Sequence, residues 1–247
     1  MYVKISIRIA GDKMKKNKVI VSVISVLLLI ITTYYQDEIM LWYAKITGQY
    51  ITYGIEEIPE YRGEPYVYIN DNEPNFKDGD YKINKENYSK LDYLGRAGVA
   101  IAIVSLDTMP KEERGSIGSV KPTGWHTVKY DIVDGKYLYN RCHLIGYQLT
   151  GENANEKNLI TCTREMNTGA MLDFENRVAE YIKTTKNSVL YKVTPVYKDD
   201  NLLASGVNIE AESIEDNDKG IKFNVYIYNV QEGIEIDYKT GKSSLSE

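Results

Sequence analysis

Asn140-Arg141-Cys142-His143, followed by Asn158, Asn167 and Glu175, strings an imidazole, three carboxamides and a carboxylate along the chain. Only two histidines are present, His126 and His143, so the choice of a neutral-pH base is narrow. A free imidazole titrates near ~6.5, and a modest change of surroundings makes it a base at neutral pH. His126 follows Gly124-Trp125 in a loop-like stretch and reads as structural. An imidazole, a carboxamide and a carboxylate in this order suit hydrolysis of a phosphodiester with a hydrated metal ion. Taken singly, each has a blander reading: His143 as a satisfied polar strand residue, Asn167 as a helix cap, Glu175 as a solvated helix face.

Asn167 and Glu175 are eight residues apart. On one continuous helix they would lie about 80° apart around the axis and ~12 Å along it. They could then share an ion only if one ligates it and the other holds a metal-bound water. Magnesium favours such sharing, because it keeps most of its waters and takes few protein ligands.

The elements that must position these groups can be read from apolar spacing. Met171, Phe174, Val178, Tyr181 and Ile182 recur at helical intervals and predict a helix over about Thr168–Lys183. Strands are predicted over residues 65–70, 96–105, 188–197, 203–213 and 221–229, with the small-residue run at 96–105 buried on both faces. Residues 137–139 lead into the Asn-Arg-Cys-His element, and residues 158–161 form a short extended piece. Twenty-two tyrosines against three phenylalanines favour a β-rich body with half-exposed sheets. Two cysteines exclude a disulfide-dense scaffold, and the lack of a CxxC pair argues against a structural zinc site; one Cys142–Cys162 bridge stays open.

Charge is uneven. Residues 1–18 hold six basic side chains and one acidic, a net +5, so residues 19–247 carry −10 of the total −5. That balance counts against nucleic-acid binding by bulk electrostatics, although a metal ion or a small basic cleft can act on an acidic body. Residues 19–33 form one apolar run with lysines before it and Tyr34-Tyr35 after it, the pattern of an export signal or an N-terminal hydrophobic anchor helix. No clear small-x-small cleavage site comes after it, which favours an uncleaved membrane anchor over a removed signal peptide. The basic flank puts the rest outside the cytoplasm.

At Asn140-Arg141-Cys142-His143 and at Asn167-Thr168-Gly169 through Glu175 the chain resembles the DNA/RNA non-specific endonucleases of the ββα-metal fold, similar to bacterial DNA-entry nucleases. Lys121-Pro122-Thr123-Gly124-Trp125, His143-Leu144-Ile145-Gly146-Tyr147 and Asn158-Leu159-Ile160-Thr161 are similar to family segments in the same order. The resemblance implies an α+β fold: a mixed or antiparallel sheet core with a ββα-metal finger carrying the active site. Residues 1–35 would be the signal or anchor, 36–60 a tether and 61–247 the nuclease domain. It further implies His143 as general base, Asn167 as direct ligand of magnesium (manganese as the alternative) and Glu175 as holder of its hydration. Asn158 would orient the site. Arg114 is favoured over Arg96 and Arg141 as the contact to substrate phosphate, with Arg141 expected beneath the finger. DNA and RNA would be substrates, cut to 5′-phosphate products by an exported enzyme at the cell surface or secreted. A non-catalytic surface protein binding nucleic acid or a partner on the same fold is the competing expectation. Two positions depart from the family pattern: Asn140 stands where it has Asp, and Cys142 where it has Gly. The first removes a negative charge from near the imidazole; the second adds a β-carbon.

Overall fold

The computed structural model describes residues 52–246 continuously and, ahead of them, positions 22, 24–27, 29, 30, 34, 35 and 39. The described positions of the apolar run are helical; the rest of that run and most of the expected tether lie outside the described residues. Among the described residues no helix is long and apolar enough to cross a membrane.

The fold is α+β. Seven strands make the main sheet: β1 (Thr52–Tyr53), β2 (Tyr66–Ile69), β3 (Glu86–Tyr88), β4 (Ala100–Val104), β7 (Val189–Val196), β8 (Gly206–Ser213) and β9 (Lys222–Tyr228). Their order is β1-β2-β9-β8-β7-β4-β3, antiparallel throughout except for the β1–β2 pair. A two-stranded ribbon, β5 (Tyr139–His143) with β6 (Leu159–Thr163), stands apart and carries the short helix α1 (Tyr147–Thr150) in its connection. Two helices come after it, α2 (Arg164–Thr168) and α3 (Ala170–Thr185). A small hairpin, β10 (Ile234–Asp237) with β11 (Lys242–Leu245), closes the domain.

The helix α3 lays the expected stripe, Met171, Phe174, Val178 and Ile182, into one core with Tyr191, Val193, Phe223 and Val225 of the sheet. Phe174 meets Phe223 and Tyr66 at ring-centroid distances of 4.8 and 5.1 Å. Ala100 and Ala102 of β4 join the same core, and β4 is buried along most of its length, as its small apolar residues predict.

Two expectations change. The helix predicted over 168–183 begins at Ala170, and Asn167 belongs to a separate turn of helix, α2. Gly169 breaks the path: its backbone is non-helical, and a β-carbon there would fall 2.7 Å from the carbonyl oxygen of Glu165. The single-helix separation of Asn167 and Glu175 therefore does not apply. The sheet is also less exposed than the tyrosine content suggests. Its second face carries Asn208, Glu210 and Asn224, and residues 72–75 cover it. Asn75 N donates to Glu210 (2.7 Å), Asn224 N donates to Asn72 Oδ1 (3.0 Å), and Lys192 pairs with Glu210 at 2.7 Å.

Cys142 and Cys162 are joined by a disulfide, with Cα atoms 5.9 Å apart. They sit diagonally across the β5–β6 ribbon, since Cys142 faces Ile160 and Cys162 faces Asn140. Both are fully buried in the core. The β-carbon that cysteine adds at 142 thus points inward and stitches the ribbon to itself. The bridge spans 20 residues, so chain-entropy reasoning assigns it about 3 kcal/mol of stability. Replacing both cysteines with alanine should lower the urea midpoint by that equivalent; an unchanged midpoint would show that the bridge contributes nothing.

Candidate active site

Alternation along β5 points Tyr139, Arg141 and His143 to one face of the ribbon and Cys142 to the other. His143 is the last residue of the strand and is only 6% exposed. The path of the chain beyond it is fixed by Asn158, which is wholly buried. Asn158 Oδ1 accepts from Ile145 N (2.9 Å), its Nδ2 donates to Ile145 O (3.0 Å), and its carbonyl accepts from Leu144 N (2.8 Å). The chain leaving His143 is thereby clamped to the start of β6. Asn158 reaches no solvent, so its place is to orient the loop and not to touch a substrate.

Both ring nitrogens of His143 have partners. Nε2 lies 2.7 Å from the carbonyl oxygen of Asn153, and Nδ1 lies 3.3 Å from an Arg114 guanidinium nitrogen. A carbonyl can only accept and a guanidinium can only donate. The two partners therefore enforce the same tautomer, with the proton on Nε2 and the lone pair on Nδ1. Burial is the largest influence on the imidazole and pushes its pKa below the ordinary value. The Asn153 carbonyl opposes that shift and the Arg114 charge adds to it. The ring is neutral at pH 7, with its basic nitrogen beside an arginine. Gly115 lets the Arg114 loop lie this close: a β-carbon there would fall 2.8 Å from Asn153 Nδ2.

Glu175, on α3, is buried under the same cleft. Gly146 leaves room for it, since a β-carbon at 146 would meet its carboxylate at 2.4–2.6 Å. Burial raises its pKa to about 7; hydrogen bonds from Gln148 and the Gly146 N–H, and the Arg114 charge, pull the other way without cancelling the shift. Asn167, on α2, lines the cleft too, and its side-chain amide has no hydrogen-bond partner among the described residues.

His143, Arg114, Asn167 and Glu175 thus share one cleft of about 440 Å³, with Arg164 on its wall. A second cleft of about 470 Å³ adjoins it across Arg114, Arg164 and Asn167 and contains Arg141. Arg96, expected among the phosphate contacts, lies elsewhere. It pairs with Asp92 at 2.7 Å, donates to the carbonyls of Asp199 and Asn201, and covers the Tyr197 ring. Those partners make it a brace between loops. Asn140 does not touch the imidazole either; it faces the second cleft, so the partner of Nε2 is a backbone carbonyl whatever residue stands at 140. His126 Nε2 bonds the Thr240 carbonyl at 3.0 Å, outside both clefts.

Sequence reasoning alone misses Arg164. It opens α2 immediately after the N-cap Thr163 and pairs with the exposed Asp134 at 2.8 Å. The signal for it is spacing: Arg164 and Asn167 are three apart on a short helix, which places them on one face.

Oxygen donors suit a hard cation. The unpartnered amide of Asn167 and the carboxylate of Glu175, together in one cleft, fit such an ion. Among the described residues no group of three or more His, Cys, Asp or Glu forms a cage, so an ion here would keep much of its water.

Residues 77–215 match the DNA/RNA non-specific endonuclease family. NucA from Streptococcus agalactiae, free of metal, is 25% identical with a TM-score of 0.66, over 78% of this chain and 92% of that one. Its magnesium-bound form aligns at 25% identity and a TM-score of 0.63, over 73% and 86%. Sda1 nuclease with a bound zinc ion is 29% identical with a TM-score of 0.55, over 67% and 81%. The antiparallel α+β core and its match to these structures place the chain in the class of non-specific nucleases. The chain belongs to the DNA/RNA non-specific endonuclease family.

The lowered pKa of His143 keeps its imidazole neutral further into acid. In an NMR titration the His143 ring should therefore take up its proton at a midpoint below the ordinary ~6.5. A ring midpoint at or above that value would contradict the buried, arginine-flanked setting.

Proposed function

We propose that the chain is an exported, magnesium-dependent, sugar-nonspecific endonuclease that hydrolyses DNA and RNA to 5′-phosphate products with His143 as general base. The observation that carries this reading is the tautomer of His143: Nε2 tied to a carbonyl, Nδ1 open to a cleft that also holds Arg114, Asn167 and Glu175. Nδ1 takes the proton of the attacking water, and the Asn153 carbonyl steadies the imidazolium that forms. Arg114 donates to Nδ1 in the resting protein and is within reach of a phosphate at the same place. On substrate binding its guanidinium turns to the phosphate oxygens, which releases the Nδ1 lone pair for water. Asn167 and Glu175 would hold the cation, Asn167 directly and Glu175 through its hydration. A bound divalent cation supplies charge stabilisation for the phosphate and the leaving oxygen. Contacts to phosphate and sugar carry no base identity, which accounts for weak sequence preference.

The buried Cys142–Cys162 disulfide supports an oxidising compartment. The apolar run at 19–33 with its basic flank supports export, either anchored by that run or released after it. The Mg-bound state of NucA favours magnesium and the Zn-bound state of Sda1 leaves room for other divalent ions. A purely binding protein on this fold would have no use for a neutral base opening on an arginine.

His143→Ala should abolish plasmid nicking with the far-UV spectrum intact, and EDTA should stop the native protein until magnesium is added. Nicking by His143→Ala, or full activity in chelator, would remove the base or the metal from the account. Asn167→Ala should lose activity at unchanged melting temperature. Asn158→Ala, which leaves the buried Ile145 amide and carbonyl unpaired, should instead lose about 2 kcal/mol or more of stability. The opposite pattern would mean that the two asparagines have been assigned the wrong way round.

A further inference from the structure

The second cleft has a chemistry of its own. Arg141 lies over the Trp125 ring, its guanidinium carbon 3.9 Å from the centroid. Arg141 Nε donates to the carbonyl of Val120 and Nη2 to that of Gly118 (3.1 Å). Its Nη1 has no hydrogen-bond partner among the described residues. Thr161 Oγ1, opposite Arg141 in the ribbon, donates to the Thr123 carbonyl at 2.9 Å and ties down the loop that carries Trp125. The stacked pair is therefore a built platform, held to the finger from both strands. Tyr137 stands on the same cleft, 48% exposed, with Lys129 Nζ 4.5 Å from its ring centroid.

Charge singles the cleft out. Arg114, Arg141 and Arg164 line it and no carboxylate does, in a chain of net charge −5. Among the described residues only Asp134 pairs with Arg164, from an exposed position. The volume, about 470 Å³, falls in the ~300–1,000 Å³ range of small-ligand sites. Arg114, Arg164 and Asn167 belong to both clefts, so the two are contiguous.

We propose that this second cleft is a nucleotide subsite next to the scissile phosphate, in which an unstacked base packs against the Arg141–Trp125 platform and Tyr137 while its phosphate meets the Arg114–Arg164 wall. The inference rests on the nuclease reading and adds a substrate class to it. Aromatic and guanidinium faces receive only a base that has left its duplex stack. Every base has such a face, so the subsite is tolerant of sequence yet selective for strand state. The enzyme accordingly prefers single-stranded nucleic acid and the unpaired segments of duplexes.

The test uses the full chain with magnesium and two oligonucleotides of equal length, one unstructured single strand and one hairpin duplex. The native protein should show a single-strand to duplex ratio of kcat/KM above one. Tyr137→Ala should lower that ratio by about fivefold or more, the smaller end of what stacking one base contributes. Tyr137→Phe, which keeps the ring, should retain it. Trp125→Phe, conservative enough to keep the loop packed, should lower it less than Tyr137→Ala. A native ratio of one or less, or a ratio unmoved in Tyr137→Ala, would overturn the subsite while leaving the nuclease intact. Failure of the native protein to cut either oligonucleotide would instead sink the nuclease reading and the subsite with it.

Discussion

The hydrogen bond between His143 Nε2 and the carbonyl of Asn153 is the constraint on which the site depends. It fixes which nitrogen holds the proton, and so which nitrogen can take one. A carbonyl cannot itself titrate, so this orientation persists across the working pH range. Much of the surrounding structure keeps the two ends of that bond in place. The Cys142–Cys162 bridge stitches the ribbon beneath the ring, Asn158 clamps the chain leaving it, and Gly115 lets the Arg114 loop lie against Asn153. None of these groups need touch a substrate; they hold one imidazole in one tautomer.

The electrostatics resolve an apparent conflict. An acidic chain is a poor bulk partner for nucleic acid, yet three arginines converge on two adjoining clefts in which Glu175 is the only carboxylate. At ordinary salt, exposed charges farther away than about a Debye length of ~10 Å are largely screened. The local guanidinium groups, not the net charge, then decide what a phosphate meets. Arg114 has a double position in this, donating to the base at rest and standing where a phosphate oxygen would compete for it.

Much of this is legible in the residues. The α3 stripe, the β7–β9 strands and the convergence of His143, Asn167, Glu175 and Arg114 follow from periodicity and from the family resemblance. The features that escape such a reading depend on contacts remote in sequence. The break at Gly169 is a backbone turn packed so closely on the Glu165 carbonyl that only glycine fits, which periodicity cannot register. The buried second face of the sheet depends on residues 72–75 returning over it. Arg96 looks as suitable for a phosphate as Arg114 until Asp92 and the carbonyls of Asp199 and Asn201 claim it. Arg164 stays hidden because its role comes from helix geometry and from Asp134, thirty residues earlier.

Having only two histidines makes the central claim open to direct observation. In the 15N-labelled protein, two-bond proton–nitrogen correlations of the His143 ring report its tautomer and protonation state. The expected result at pH 7 is a neutral ring protonated on Nε2, with an unprotonated Nδ1. A ring protonated on Nδ1, or one already cationic at that pH, would contradict the account.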